Sequence, residues 1–418
     1  MRPHAMGPAH RTGALAELVC SNSLRGAALQ NAVGLLKEEL ALLDSVIIHA
    51  ARRTAVPAGG ALAVDRGQFA ALIEAQLEAH PRITIRRQEV TAIDERSPTI
   101  IACGPLPSAP LLADLDRIIG ESGRLHYYDA ASPIVSTDSI DETVMYRKSR
   151  YEKGEGDDYL NIPLDELTYK EFIADLRRLP KHQPKDFELD CTGVPFFEGC
   201  LPIEEMARRG DDVLRFGPLK PVGLRDPRSG KTPYAVVQLR KENREGTAMN
   251  VVGFQTRLSW PAQKEAFGKL PGLGQAEWLR LGVMHRNTFV DSPRLLTAQL
   301  RLAAAQNVWL AGQITGAEGY VEAAACGVIS AIAAARQVLG QPPVTLPRET
   351  ALGAVIAHLQ NTVTPNFQPS NVTWALFRPW PRRSATSGNA VPASLLERWK
   401  RCAGSPAQLD DATRLKPL

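Results

Sequence analysis

The segment QNVWLAGQITGAEGYVEAAACGVISAIAAARQVLG, residues 306–340, constrains the fold more than any other stretch. Val308 to Leu310 read as a buried strand, the glycines at 312, 316 and 319 as a turn, and the small residues up to Gly340 as a helix. A strand feeding a helix through a glycine turn is a unit of α/β construction. Such a turn can also hold an anion or a dinucleotide: glycines admit close backbone approach, and a helix N-terminus offers unpaired N–H groups with partial positive charge. Packing alone accounts equally well for a bare glycine turn.

Upstream, Val33, Leu36, Leu40 and Leu43 recur at spacings of three and four, which predicts an amphipathic helix over residues 31–45. A second helix is expected from the cap residue Asp65 through Phe69, Leu72, Ile73 and Leu77 to Pro81. The alternating ITIRRQEVTAI, residues 83–93, predicts a strand or hairpin, and PTIIACG a short strand stopping on glycine. From about 105 to 280 the texture changes to charge runs, YRKSRYEKGEGDD, LRRLPKHQPKD, GLRDPRSGK and LRKENREG, interleaved with Tyr146, Tyr151, Tyr234 and Phe254. Each run alone reads as solvated surface; together they suggest a phosphate-binding face on an inserted domain. The expected organisation is therefore a discontinuous domain of residues 1–104 and 281–345, an inserted α/β domain of 105–280, and a tail of 346–418 that wraps the surface and is disordered towards its end.

The chain is long enough to bury a large core without staples. Its 49 basic and 45 acidic residues leave a net +4, too mild to mark a nucleic-acid binder. Cysteines at 20, 103, 191, 200, 326 and 402 are too scattered for a disulfide framework, and none has zinc-site spacing, so reduced thiols in a cytoplasmic protein and no metal are expected. The apolar run after Gly319 is interrupted by Glu322 and Arg336, and the first residues lack the apolar core of a signal peptide, so no membrane association is expected.

The strings AELVCSNSLRG, ALAVDRGQF, YYDAASPIVSTDSID, FEGCLPIEEMARRG, LRFGPLKPVGL, VVQLRKEN, NVVGFQTRLSWPAQ, GVMHRNTFVDSP and GQITGAEGYVEAAACG run almost continuously from the first residue to about Pro381. In them the chain closely resembles the bacterial TrmFO family, the folate- and FAD-dependent tRNA (uracil-5-)-methyltransferases. The resemblance implies a glutathione-reductase-like, Rossmann-type FAD domain with an inserted domain. It implies methylation of the uridine at tRNA position 54, in the T arm, to ribothymidine. Methylenetetrahydrofolate would donate the carbon, FAD would act as carrier and reductant, and NADPH or NADH would supply electrons. It also assigns Gly312, Gln313, Ile314, Thr315, Gly316, Gly319 and Tyr320 to the cofactor. The alternatives are the related flavoprotein that modifies the wobble uridine, and a non-catalytic tRNA-binding remnant.

Carbon 5 of uracil is a poor nucleophile, and a thiolate adding at carbon 6 turns the ring into an enolate that attacks an electrophilic carbon. A lone cysteine usually packs as a small hydrophobe. The resemblance gives Cys200, in FEGC, the role of covalent nucleophile, and a helix starting near Pro202 and Ile203 would lower its pKa. Cys20, in ELVCSNSLRG, matches the family's second functional cysteine, an acid, base or guard near the flavin. Cys103, Cys191, Cys326 and Cys402 read as packing or exposed thiols. Arg286 and Asn287 in HRNTF are expected either to contact tRNA phosphates or to form a polar turn.

One departure stands out. Flavoproteins of this fold open with a strand, a G-x-G-x-x-G turn, a helix and a second strand. Here MRPH matches the family just after that unit, so the first βαβ, roughly 30 residues, is missing from this sequence. Two explanations compete, an internal methionine taken as the start, which the abrupt match at residue 1 favours, and a chain that is really this short; weak FAD binding is expected of the chain as written.

Overall fold

The structure is a computed structural model that describes residues 6–7, 9–120, 123–182, 201–363 and 367–377. Its elements form two large apolar clusters, with a small third one at Val56, Ala58 and Ala63, and the chain passes from the first large cluster to the second and back.

The first pass contains β1 (Ser23–Gly26), α1 (Ala32–Leu42), α2 (Val46–Arg53), β2 (Ala55–Val56), β3 (Ala61–Val64), α3 (Arg66–Glu78), β4 (Thr99–Ile101), α4 (Ala109–Ile119) and β5 (Arg124–Ala130). α3 starts where the sequence places it, because the Asp65 carboxylate accepts from the Gln68 N–H at 2.9 Å and satisfies a free donor of the first turn. The second pass contains β6 (Ile134–Ser136), β7 (Tyr146–Arg147), β8 (Tyr159–Leu164), α5 (Glu166–Arg178), α6 (Ile203–Arg209), α7 (Val213–Phe216), β9 (Ala235–Lys241), β10 (Ala248–Val251), α8 (Trp260–Gly268) and β11 (Trp278–Arg280). The return contains β12 (Met284–Val290), α9 (Ser292–Leu295), β13 (Val308–Leu310), α10 (Tyr320–Val338) and α11 (Ala351–Leu359).

In the second pass the strands form one six-stranded antiparallel sheet, ordered β11-β6-β10-β9-β8-β7. Phe172 of α5 stacks on Phe254 with ring centroids 5.7 Å apart, and Phe254 meets Phe267 of α8 edge-on at 5.3 Å, so helices and sheet share one core. The other cluster is built around a parallel β4 and β13 pair, an antiparallel β5 and β12 pair and the three-stranded β1-β3-β2 sheet. α1, α10 and α11 bury Leu36, Leu40, Val321, Ile329, Leu352 and Val355 there. α4 and β5 belong to the same cluster through Leu115 and Tyr127. Gln263 fastens the return crossing: its side chain donates to Gly282 O at 2.9 Å and accepts from Gly282 N at 2.7 Å.

Two sequence expectations differ from the structure. Residues 83–93 form no strand; Ile83 and Val90 are 42% and 53% exposed, and the segment is tied down by side chains instead of a ladder. Arg87 reaches Glu74 and Gly13 O, and Ile93 N–H donates to Asp114 at 2.7 Å. Alternation predicts a strand only where a neighbouring strand can accept its hydrogen bonds. The stretch after Pro342, expected to wrap the surface, instead contributes α11 to the core; seven of its nine residues are buried.

Among the described helices only α10 is long and apolar enough to cross a membrane, and its Val321, Ala325, Cys326 and Ile329 face the first core.

Candidate active site

The loop Leu18–Asn22, just ahead of β1, lies at the seam between the two clusters and is held by three arginines. Arg66, at the start of α3, donates to the carbonyls of Leu18 and Cys20, the latter at 2.9 Å, and pairs with Glu242. Arg240 of β9 is 6% exposed and donates to Asn22 Oδ1 at 2.8 Å and to Ser21 Oγ at 2.9 Å. Arg280, the last residue of β11, donates to Val19 O at 2.5 Å. Asn22 completes the clamp by donating to Val64 O at 3.0 Å and Lys241 O at 2.9 Å. A seam made of directional bonds to fixed carbonyls sets the position of Cys20 more narrowly than apolar contact would.

The Cys20 N–H donates to the phenol oxygen of Tyr320 at 2.9 Å, across 300 positions of sequence, and its Sγ lies 3.9 Å from Ala130 O. Burial pushes the thiol up to about 12, with the Asp129 charge adding to the rise and Arg66 and Arg280 opposing it. Cys20 is therefore a protonated thiol at neutral pH, unsuited to nucleophilic attack.

The glycine turn behind it has left-handed φ at all three glycines: 81° at Gly312, 82° at Gly316 and 110° at Gly319. Gly316 cannot be otherwise, since a Cβ there would sit 2.7 Å from the Phe367 ring. The Ile314 and Thr315 side chains are fully buried, which leaves their backbone as the part that a cofactor would meet. Gln313 Nε2 donates to Glu318 at 2.7 Å, and the Tyr127 hydroxyl donates to the other carboxylate oxygen. Burial and the Asp129 charge push the Glu318 carboxyl well above its ordinary range. The first recorded bond of α10 runs from Ala323 N to Gly319 O, so the N–H groups of Tyr320, Val321 and Glu322 lie ahead of it, free of intrahelical partners. Burial raises the Tyr320 phenol too, with the neighbouring Cys20 adding to the rise.

Thus the structure brings Cys20, Tyr320 and the 312–319 turn together. Cys200 and Cys191 lie outside the described residues. Just after them Leu201 is buried, and α6 begins at Ile203, whose N–H donates to Gln255 O at 2.7 Å. Arg286 and Asn287 are not in a turn: they lie on β12, paired with Tyr128 and Tyr127 of β5. Asn287 is 2% exposed, which removes it from the expected phosphate contacts. Several arginines of the basic runs are engaged within the protein, Arg147 with Glu142, Arg177 with Asp211, Arg228 with Asp226 and Arg240 in the seam. Cys326 is buried in α10, 3.6 Å from the Thr315 hydroxyl, and is a packing thiol. Sequence reasoning gave Arg66 and Arg280 no role and read Arg240 only as part of a basic run, because the residues they hold lie far away along the chain.

Fold and site together define a flavoprotein of the GidA class. The family profile of glucose inhibited division protein A matches residues 4–342. Two crystal forms of Aquifex aeolicus GidA share the fold at a TM-score of 0.59, with 16% and 15% identity over 85% of this chain and 63% and 65% of theirs. Among curated relatives, the methylenetetrahydrofolate–tRNA-(uracil-5-)-methyltransferases TrmFO of Heliobacterium modesticaldum and Geobacter sulfurreducens are 54% and 53% identical over 91% of this chain, which spans 85% and 86% of their lengths. The chain belongs to the TrmFO family.

Proposed function

We propose that this chain is a folate- and FAD-dependent methyltransferase acting on carbon 5 of the T-loop uridine of tRNA, position 54, with NADPH or NADH as electron source. The observation that carries this reading is the joining of two distant family strings at one point. Cys20 of ELVCSNSLRG bonds Tyr320 of GAEGY, within a polar seam between the parallel-strand core and the inserted sheet. Identity above one half over nine-tenths of the chain supports the same activity as the relatives.

The residues present fit a flavin. The turn at Gly312, Gln313, Gly316 and Gly319 brings bare backbone to the start of α10, where unpaired N–H groups favour an electron-rich ring edge, and Tyr320 offers an aromatic face beside it. When bound there, FAD supplies the one-carbon carrier and the reducing equivalents. The protein's own work is to activate and hold the uracil. Cys200 as thiolate adds at carbon 6, placing the negative charge on the ring oxygens. Carbon 5 then bonds the one-carbon unit and loses its proton, the unit's bond to its carrier breaks to leave an exocyclic methylene, and a hydride equivalent drawn from NADPH or NADH would reduce that methylene to methyl as the thiolate leaves and the ring double bond re-forms. Cys20, held as a neutral thiol, is placed to exchange a proton at the seam.

The test is substitution of both thiols in the full chain, assayed with tRNA lacking the T-loop methyl group. Cys200→Ala abolishes methylation, and Cys20→Ser slows it. Full methylation by Cys200→Ala would reject the nucleophile assignment, and a product at the wobble position would favour the other flavoprotein class.

A further inference from the structure

Arg280 is 8% exposed, yet no carboxylate among the described residues forms an ion pair with it. One nitrogen donates to Val19 O; Nε is buried and finds no acceptor. The neighbouring arginine of the clamp differs, since Arg66 is compensated by Glu242. The nearby cations Arg66 and Arg11 act against Arg280, and the His285 Nε2 close by is likewise buried without a partner. Removing a cation from water without a counter-charge is costly, and here like charges add to that cost. The penalty is offset when an anion enters the seam.

Val19, whose carbonyl Arg280 holds, immediately precedes Cys20, and the Cys20 N–H bonds Tyr320, so that anion lies where the reaction is read to occur. We propose that Arg280 stabilises an enolate-type oxygen of a pyrimidine ring bound in the seam. Two rings in the reaction carry this chemistry, the uracil once a thiolate has added at carbon 6, and the pyrimidine portion of the reduced flavin. The assignment rests on the methyltransferase reading above. No bond to Arg280 forms or breaks and it keeps its protons throughout; its contribution is charge held in place before the negative oxygen develops.

The experiment uses the full chain loaded with FAD, as wild type, Arg280→Gln and Arg280→Lys. Gln keeps a donor for Val19 O and removes the charge, whereas Lys keeps the charge. Three quantities are read: turnover on unmethylated tRNA, the dissociation constant of sulfite for the oxidised flavin, whose adduct carries negative charge into the pyrimidine ring, and Tm. The expected result is a loss of roughly 10²-fold in kcat for Gln, partial recovery for Lys, and little change in Tm for either. If the flavin is the source of the anion, sulfite binding weakens in Gln; if the uracil is, sulfite binding stays at the wild-type value while kcat falls. Wild-type kcat and sulfite affinity in Gln would overturn the proposal, as would a loss that tracks a lowered Tm and is not rescued by Lys. A wild-type chain that forms no 5-methyluridine, but whose sulfite affinity drops in Gln, would refute the methyltransferase reading and leave the flavin assignment standing.

Discussion

At the scale of single residues, the site depends on backbone conformations and charges that only a few side chains allow. Gly316 holds φ at 82° against the Phe367 ring, so Gly316→Ala meets both the left-handed penalty and a clash. We expect a loss of at least about 2 kcal/mol of stability, measured by denaturant unfolding. An unchanged midpoint would show that the turn is less rigidly packed than described. The cysteines separate by environment: Cys20 is raised to about 12 and protonated, Cys326 is packed against Thr315, and neither can supply a thiolate at neutral pH. That leaves the nucleophile to a thiol elsewhere, and the FEGC string assigns it to Cys200. Cys20 and Tyr320 were readable in the sequence because each lies in a long, compositionally unusual string. The arginines that fix Cys20 were not, since their contacts span 46, 219 and 261 positions and no local pattern encodes them.

At the scale of elements, the sequence was most readable where physical signals coincide. The run from β13 to α10 combines a buried apolar strand, glycines at every left-handed position and small residues on the following helix. α3 combines a helical period with an Asp cap. Residues 83–93 failed because alternation says nothing about whether a partner strand exists, and α11 was missed because ALGAVIAHL is short and apolar on all sides, with no period to read. α11 docks through Glu39 of α1, whose carboxylate accepts from Ala351 N at 2.8 Å and Leu352 N at 2.9 Å. Burial pushes this carboxyl up to about 7 against those two bonds. The folded state therefore holds a proton that the unfolded chain releases near 4.5, so the associated stability is present below pH 4.5 and lost as pH rises through 7. The loss is on the order of 3 kcal/mol. A Glu39→Gln variant should flatten the decline in urea midpoint between pH 5 and 8. An equally steep decline in the variant would place the titrating group elsewhere.

At the scale of the whole molecule, two apolar cores meet at a seam of hydrogen bonds and ion pairs, and the proposed chemistry sits in that seam. Such an arrangement suits a reaction that must bring a large nucleic acid and two small-molecule reactants to one point, because polar partners can be exchanged at the seam while both cores stay packed. The most direct measurement is the fate of isotopic label from methylenetetrahydrofolate after incubation of the full chain with FAD, NADPH and unmethylated tRNA, followed by mass spectrometry of tRNA fragments. The account predicts label on carbon 5 of the T-loop uridine, dependent on added FAD and absent with Cys200→Ala. Label confined to the wobble uridine, or a labelled T loop that needs neither flavin nor Cys200, would contradict it.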